Sequence, residues 1–487
     1  MATPDEDIHP APAAGAPVAT LVREGTYGEK VASVEPGGAE FIPLNERHGR
    51  PIQLFWTWTS PNFEFATIFV GVIAIEFFGL NFWQSVLAIV VGTAAGSITQ
   101  GILSARGPEL GVPQMVISRL GFGYWGNALP AGLNAVVAGI GWFAVNSVSG
   151  TFALNTLLHW PKWLCLLIIA VAQITIAFYG YNLVHAFERY AFPVLAIIFL
   201  ITTVVILAKA HTGLHITPGP GGTSGGFLLA MGAAFGYAVG WNPYAADYTR
   251  YFPPDANKRA IAWWSGLGVF VSCVLLEVVG AASATLSSNP NATPTDAFTS
   301  HLPTALADAT LLAIAIGAVA ANVLNIYSGA LSFTALGIRL PLRLRRAIVA
   351  LTFGVIGYIV ALFGLHDAGT KYTNFLLIIA YWIAPWLAVV FCDQLLRRGR
   401  VDEELLFDRS YTNWAGPVAM LTGMGVSIWL FSNQTEYVGV VPSHVPSVGD
   451  LTFEAGFLIT AVVYLGWHAI AGRLRPAAVA GTAAAAR

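Results

Sequence analysis

The sequence predicts an all-α polytopic membrane protein of about twelve transmembrane helices, and three observations carry that reading. Charged residues make up only 10% of the 487 and hydrophobic ones 56%, with a mean hydropathy of +0.65, far from the balance of a soluble domain. Long, nearly uncharged stretches recur, each close to the roughly 20 residues that a helix needs to cross hydrocarbon. The basic residues are lopsided. When the stretches are threaded alternately through a bilayer, all but Lys162, Lys209 and Lys371 of the 24 lysines and arginines fall on the side of the N-terminus. Cytoplasmic loops are enriched in Lys and Arg, so both termini are expected in the cytoplasm of a multi-pass protein of the cell membrane.

The spans are expected near 55–80, 83–103, 127–157, 163–181, 190–209, 227–248, 260–286, 303–335, 347–365, 372–396, 414–432 and 452–472, numbered 1 to 12 in that order. Residues 1–50 are polar, mildly acidic and Pro- and Ala-containing; they read as a disordered cytoplasmic tail, not a signal peptide. Residues 51–473 read as the membrane domain, and 474–487 as a second disordered tail of low complexity. The basic run RLPLRLRR at 339–346 is explained as a topology determinant, so no nucleic acid is expected as a partner. Cys165, Cys273 and Cys392 fall in apolar spans without a CxxC pair and read as packed small hydrophobes. The sequence holds no GxxxxGK[ST] phosphate loop, HExxH, nucleophile elbow or paired catalytic carboxylates. Neither ATP-driven work nor an enzyme is expected, and no metal or cofactor beyond a coupling ion.

Two spans break the rules for a buried helix. An interior proline removes a backbone hydrogen bond and clashes with the preceding turn, while a nearby glycine eases unwinding. Span 6 contains Gly240, Trp241, Asn242 and Pro243; span 1 contains Ser60, Pro61 and Asn62 within WTWTSPNFEF. Interruptions in the first and the sixth span are what an inverted repeat of five plus five helices gives. The repeats would cover about 55–209 and about 227–396, with two further helices at about 414–472. Secondary transporters use such paired breaks to expose helix ends at a midplane site. Free backbone at that depth is tolerated only where it lines a cavity or binds something. Pro193 and Pro385 lack polar neighbours and read as simple kinks.

An ionisable residue at the bilayer centre costs about 3 kcal/mol on insertion scales, so each one retained marks a candidate site. Glu64, beside the Pro61 break, is best placed and Glu277 in span 7 is second; Glu76, Asp247 and Asp393 lie nearer span ends, the last two beside Arg250 and Arg397. A buried carboxyl can exchange protons near neutral pH, so Glu64 reads as the carrier of a coupling proton, a partner for a substrate amino group, or both. In span 3, Trp142 and Asn146 are four apart and share a helix face; in span 8, Asn322 and Asn325 share another. With Asn62 and Trp241 they describe a pocket for a small, planar, neutral heterocycle. Stacking a base on an aromatic side chain is worth about 1–3 kcal/mol, and amides offer both donor and acceptor to a ring edge. For the amides the plain alternative is hydrogen bonding between helices.

These residues stand in motifs that resemble the purine-cytosine permease branch of the nucleobase-cation symporter family. The motifs are ERHGRP at 46–51, GPELGVPQMVISRLGFGYWGNALPAGLN between spans 2 and 3, GWNPYAADYTRY in span 6 and NVLNIYSGALS in span 8. The resemblance runs into span 10 and implies a LeuT-like five-plus-five inverted repeat with broken helices 1 and 6, importing nucleobases and related heterocycles by alternating access. Trp142 matches the tryptophan that stacks on the ring in family members, Asn146 the amide one turn on, and Asn322 and Asn325 polar contacts to substrate. Relatives differ in where the span-6 aromatic stands, so Trp241 and Tyr237, with Gly240 between them, are both candidates. Gly139 replaces a glutamine of cytosine-specific bacterial relatives, which puts cytosine itself in question, and Glu64 is not expected from the nucleobase carriers and points to an aminated or cationic ring. Sodium-coupled members use carbonyls of span 1 and hydroxyls of span 8. Here Leu311 to Tyr327 contains no Ser or Thr, so protons, through Glu64 with Glu277 second, are expected in preference to sodium.

The expected function is therefore import of a purine or cytosine-like base down an inward proton gradient, with the heterocycle, the coupling cation and the bilayer as partners. Carriers of allantoin, hydantoins, thiamine or vitamin B6, with sodium as a possible ion, are the alternatives within this class. A receptor or channel without coupled transport is the alternative outside it.

Overall fold

The structure is a computed structural model that describes residues 38–179, 181–286, 292–338, 342–400 and 402–474. The tail before residue 38, the side chains of the basic run at 339–346 and the tail beyond 474 lie outside the described residues. Each expected span has a helix. Among the described residues nine helices are long and apolar enough to cross a bilayer, and the pair Gln53–Asn62 and Phe65–Glu76 forms a tenth, bent by 61°. The shorter apolar helices Leu351–Gly364 and Ala415–Phe431 stand at spans 9 and 11. The chain is a multi-pass membrane protein. Span 5 begins earlier than the hydropathy suggested, because its helix runs Tyr181–Lys209. The Glu188–Arg189 pair that looks like a loop in sequence splits by face: Glu188 is buried and Arg189 is exposed.

Packing follows the repeat. Both halves of span 1 lie along span 7 (Lys258–Ser283), and span 6 (Gly222–Thr249) lies along span 2 (Phe82–Leu110). Spans 2 and 7 pack on each other, as do span 3 (Ala128–Leu158) and span 8 (Thr304–Ala335). Exchanging 1 with 6, 2 with 7 and 3 with 8 leaves this set of neighbours unchanged. The two equivalent interfaces use the same device, which is glycine. A Cβ on Gly71 would lie 1.7 Å from the Glu277 carbonyl oxygen, and one on Gly280 would lie 1.7 Å from that of Ile68. Across the matching interface, Gly92 would meet the Met231 carbonyl at 2.3 Å and Gly96 the Ala238 Cβ at 2.8 Å. Apolar side chains gain little by leaving lipid, so close backbone approach through small residues does the holding. Spans 8 and 10 (Ala368–Leu396) are the most enclosed, while span 12 faces mainly outward. Pro193 and Pro385 sit inside continuous helices.

The described end of the expected tail differs from that expectation. Phe41 and Ile42 are buried, the Ile42 N–H donates to the Gly111 carbonyl, and Arg47 Nη1 donates to the Pro108 carbonyl at 2.8 Å. Two hydrophobic residues within a polar stretch are enough to dock it.

Replacing Gly71 with valine forces the span 1–span 7 interface apart. The expected cost is about 1–3 kcal/mol or more, seen as a lower melting temperature of the purified protein without substrate. An unchanged melting temperature would contradict the close packing.

Candidate substrate site

The two interruptions differ in kind. Pro243 cannot donate to the Val239 carbonyl four residues back, and the α-helix of span 6 ends at Val239. A 3₁₀ turn, Asn242–Tyr244, and a short helix, Ala245–Thr249, continue the same span without a bend above 40°, so this interruption is milder than that of span 1. In span 1 the helix Gln53–Thr59 passes through a 3₁₀ turn, Ser60–Asn62, into Glu64, whose backbone is extended with φ −149° and ψ 171°. Phe63, with φ −76° and ψ 69°, and Glu64 together redirect the chain.

Side chains lace the two interruptions together. Asn62 Nδ2 donates to the Trp58 carbonyl at 2.7 Å and to Ser272 Oγ at 3.0 Å, while its Oδ1 accepts from the Trp241 indole at 2.9 Å. The Asn62 carbonyl accepts from Glu64 N at 2.8 Å and from Thr67 Oγ1 at 2.6 Å. The Tyr237 hydroxyl of span 6 lies 2.5 Å from Thr67 Oγ1 and 3.2 Å from Glu64 Oε1. The Trp58 and Asn62 carbonyls at the break in span 1 are thus bonded from within the protein. Glu64 is 1% exposed, and its Oε2 has no hydrogen-bond partner among the described residues.

Trp142 ends a π-helical turn, Val137–Trp142, and its ring meets Tyr237 edge-on with centroids 5.5 Å apart. Phe375 and Tyr372 of span 10 close on it at 5.2 and 6.5 Å. Gly240 leaves room for this indole, since a Cβ there would stand 3.1 Å from Trp142 Cζ2. Trp241 stands apart from that cluster: it packs edge-on against Trp58 and Tyr244, and its N–H goes to Asn62. Of the two span-6 candidates, Tyr237 is therefore the one beside Trp142. Gly139 faces Phe353, at 2.3 Å from a notional Cβ, so a glutamine there would not fit without moving the Phe353 ring.

The amides divide in the same way. Asn322 Nδ2 donates to Gln173 Oε1 at 2.8 Å and to the Phe143 carbonyl at 3.0 Å, and its Oδ1 accepts from Asn146 at 3.1 Å and Asn325 at 3.3 Å. Asn322 is thus a hub joining spans 3, 4 and 8. Asn146 keeps a buried Oδ1 without a hydrogen-bond partner among the described residues and can still accept from a ligand. Gln173, which also donates to Ser147 Oγ at 2.9 Å, was missed by sequence reading, as were Thr67, Tyr372 and Glu188. A hydroxyl or amide in an apolar span is the signal that would have found the first three. Glu277 is fully buried, with Thr93 Oγ1 donating to its Oε2 at 2.9 Å and Oε1 unpaired. Asp393 forms the expected ion pair with Arg397 at 2.9 Å, and Asp247 Oδ1 accepts from Gln114 N at 2.9 Å.

A cavity of about 260 Å³ adjoins the site, walled by Phe65, Phe69, Val148, Phe152 and Phe363, with Lys371 at its edge. Tyr372 and Phe375 both line it and touch Trp142. The Tyr372 hydroxyl donates to the Ala66 carbonyl at 3.0 Å, so one ring layer separates the cavity from the indole.

A bent first span laced to an interrupted sixth, with an aromatic and amide cluster at their meeting, defines a membrane transporter of the LeuT-like fold. The same fold is seen in the nucleobase-cation-symport-1 family transporter Mhp1. Its closed form with bromovinylhydantoin bound gives a TM-score of 0.72 at 19% identity, covering 91% of this chain and 97% of that one. Its inward-facing form gives 0.69 at 18% identity, covering 93% and 96%. The family model for permeases for cytosine/purines, uracil, thiamine and allantoin matches residues 41–456, and the chain belongs to that family. The purine-cytosine permease fcyB of Emericella nidulans is 30% identical over 89% of this chain and 88% of its own length. The purine-cytosine permease FCY2 of Saccharomyces cerevisiae is 29% identical over 84% and 80%. The vitamin B6 transporter TPN1 of the same yeast is 26% identical over 66% and 58%. The protein is accordingly a permease and not an enzyme.

Removing the Asn322 side chain leaves several buried partners unsatisfied, at about 1–3 kcal/mol for each group stranded. Asn322→Ala is expected to lower the melting temperature in the absence of any substrate. A variant as stable as the parent that loses only substrate affinity would show Asn322 to be a ligand contact instead.

Proposed function

We propose that the protein imports a purine- or cytosine-like base across the cell membrane by alternating access, driven by an inward proton gradient. The observation that carries this reading is the position of Glu64: a buried carboxyl with a free Oε2, linked through Tyr237 to the ring of Trp142. Trp142 stacks on the heterocycle, Tyr237 borders it, and Asn146 Oδ1 and Glu64 Oε2 take hydrogen bonds from its edge. Gly240 sets how closely the ring approaches span 6. Asn62, Trp241, Asn322 and Asn325 hold these groups in place. Lys371 and the cavity face outside, and both termini face the cytoplasm. Glu277 is a second buried acid for the same proton.

Protons are favoured over sodium by what faces the break. Span 8 presses Gly317 against it, with a notional Cβ 2.2 Å from the Phe63 carbonyl. From Leu311 to Tyr327 that span offers no serine or threonine hydroxyl, and a hard cation needs several oxygen ligands at once. A second reading rests on the free Glu64 Oε2: a ring bearing an amino group or basic nitrogen, as in a vitamin B6 vitamer, would give that oxygen a charged donor.

Trp142→Ala is expected to weaken binding of the transported heterocycle by about tenfold or more, the scale of one lost stacking contact. Ligand-induced thermal shift in a screen of nucleobases, hydantoins and B6 vitamers measures it, and an undiminished shift would contradict the site. Glu64→Gln is expected to remove acceleration of uptake by an acid-outside gradient in proteoliposomes. Uptake that follows sodium instead would overturn the coupling.

A further inference from the structure

Three oxygen–oxygen contacts run in series from the acid to the bend of span 1. Glu64 Oε1 lies 3.2 Å from Tyr237 Oη, Tyr237 Oη lies 2.5 Å from Thr67 Oγ1, and Thr67 Oγ1 lies 2.6 Å from the Asn62 carbonyl oxygen. Each contact is a hydrogen bond only if one hydrogen sits between its two oxygens. The carbonyl supplies none, and the two hydroxyls supply one each. Two hydrogens cannot fill three contacts. With an ionised Glu64, one contact would set lone pairs against each other, in a place where Glu64 and Thr67 are buried to 1% and 0% exposure.

We propose that the third hydrogen is the proton of Glu64, and that Tyr237 and Thr67 pass its presence or absence on to the bend. With the proton in place, the Glu64 O–H donates to Tyr237, Tyr237 to Thr67, and Thr67 to the Asn62 carbonyl. When the proton leaves to water, Tyr237 turns its hydrogen to the carboxylate and Thr67 turns its hydrogen to Tyr237. The Asn62 carbonyl then keeps only the bond from Glu64 N. The bend of span 1 is tied when the acid is loaded and loosened when it is empty. Because the Tyr237 ring also borders Trp142, the hydroxyl that reads the acid stands on the wall of the substrate site. The titratable groups facing Glu64 from neighbouring spans are Tyr237 of span 6, Tyr372 of span 10 and Cys273 of span 7, with Glu277 beyond them. None of these four is a cation that could hold an ionised Glu64 in place of the proton. Thr67 and Tyr237 are positioning residues in this scheme, which rests on the proton-coupled reading above.

The test uses the full-length protein in proteoliposomes with an entrapped pH dye. Thr67→Val keeps the shape of the side chain and removes the middle hydroxyl. Equilibrium exchange of labelled substrate at equal pH is expected to persist, while acceleration by an acid-outside gradient falls about tenfold, the scale of one lost buried hydrogen bond. The pH profile of substrate binding should shift as well, and Thr67→Ser should restore both. A Thr67→Val protein that keeps the gradient response and the pH profile overturns the proposal. Should that variant lose exchange altogether, infrared spectra of the parent protein decide. A protonated-carboxyl stretching band that disappears in Glu64→Gln supports the chain, and its absence from the resting parent overturns it. If the parent itself moves no protons with substrate, the proton-coupled reading fails, whereas the infrared band still reports on the chain.

Discussion

The site depends on one constraint: a helix bent inside a membrane must have its freed backbone groups satisfied from within the protein. Here the Asn62 side chain satisfies the Trp58 carbonyl and at the same time binds Ser272 and the Trp241 indole. Because one of those partners belongs to span 6, satisfying the bend also fixes span 1 against span 6. Glu64 stands two residues beyond this clamp, and the non-helical backbone of Phe63 and Glu64 aims the second half of the span. A buried acid beside the site is thus held by the same bonds that keep the helix open.

The paired glycines extend this logic to the rest of the repeat. Spans 1 and 6 can be held by their interruptions only if each lies close to the partner that supports it. Gly71 and Gly280 bring span 1 onto span 7 as Gly92 and Gly96 bring span 2 onto span 6. The bend is 61° in one repeat and below 40° in the other, so the two halves are alike in packing and unlike in the element that carries the acid.

Much of this was legible in the sequence, for physical reasons. Hydropathy and charge give the spans because lipid enforces both, and proline with asparagine marks the interruptions because no other local chemistry tolerates them. The Trp142–Asn146 pairing is readable because four residues return to one helix face. Whether a polar residue serves a ligand or the protein was less legible. Asn322 and Trp241 carry the right chemistry for a substrate contact, yet their donors are used by Gln173, Phe143 and Asn62, partners that lie far away in sequence. Thr67 drew no notice because a threonine in an apolar span usually bonds its own helix. Glu188 lies before the expected start of span 5 at residue 190, and the longer helix Tyr181–Lys209 buries it while leaving Arg189 exposed.

The central claim is that the heterocycle lies on Trp142, beside the bend of span 1. A density map of the protein with its transported heterocycle bound tests this most directly. The account predicts a flat ligand against the Trp142 indole, with a polar edge within hydrogen-bonding distance of Asn146 or Glu64. A ligand seated instead among Phe65, Phe152 and Phe363, with Trp142 and Tyr237 still in contact, would contradict it.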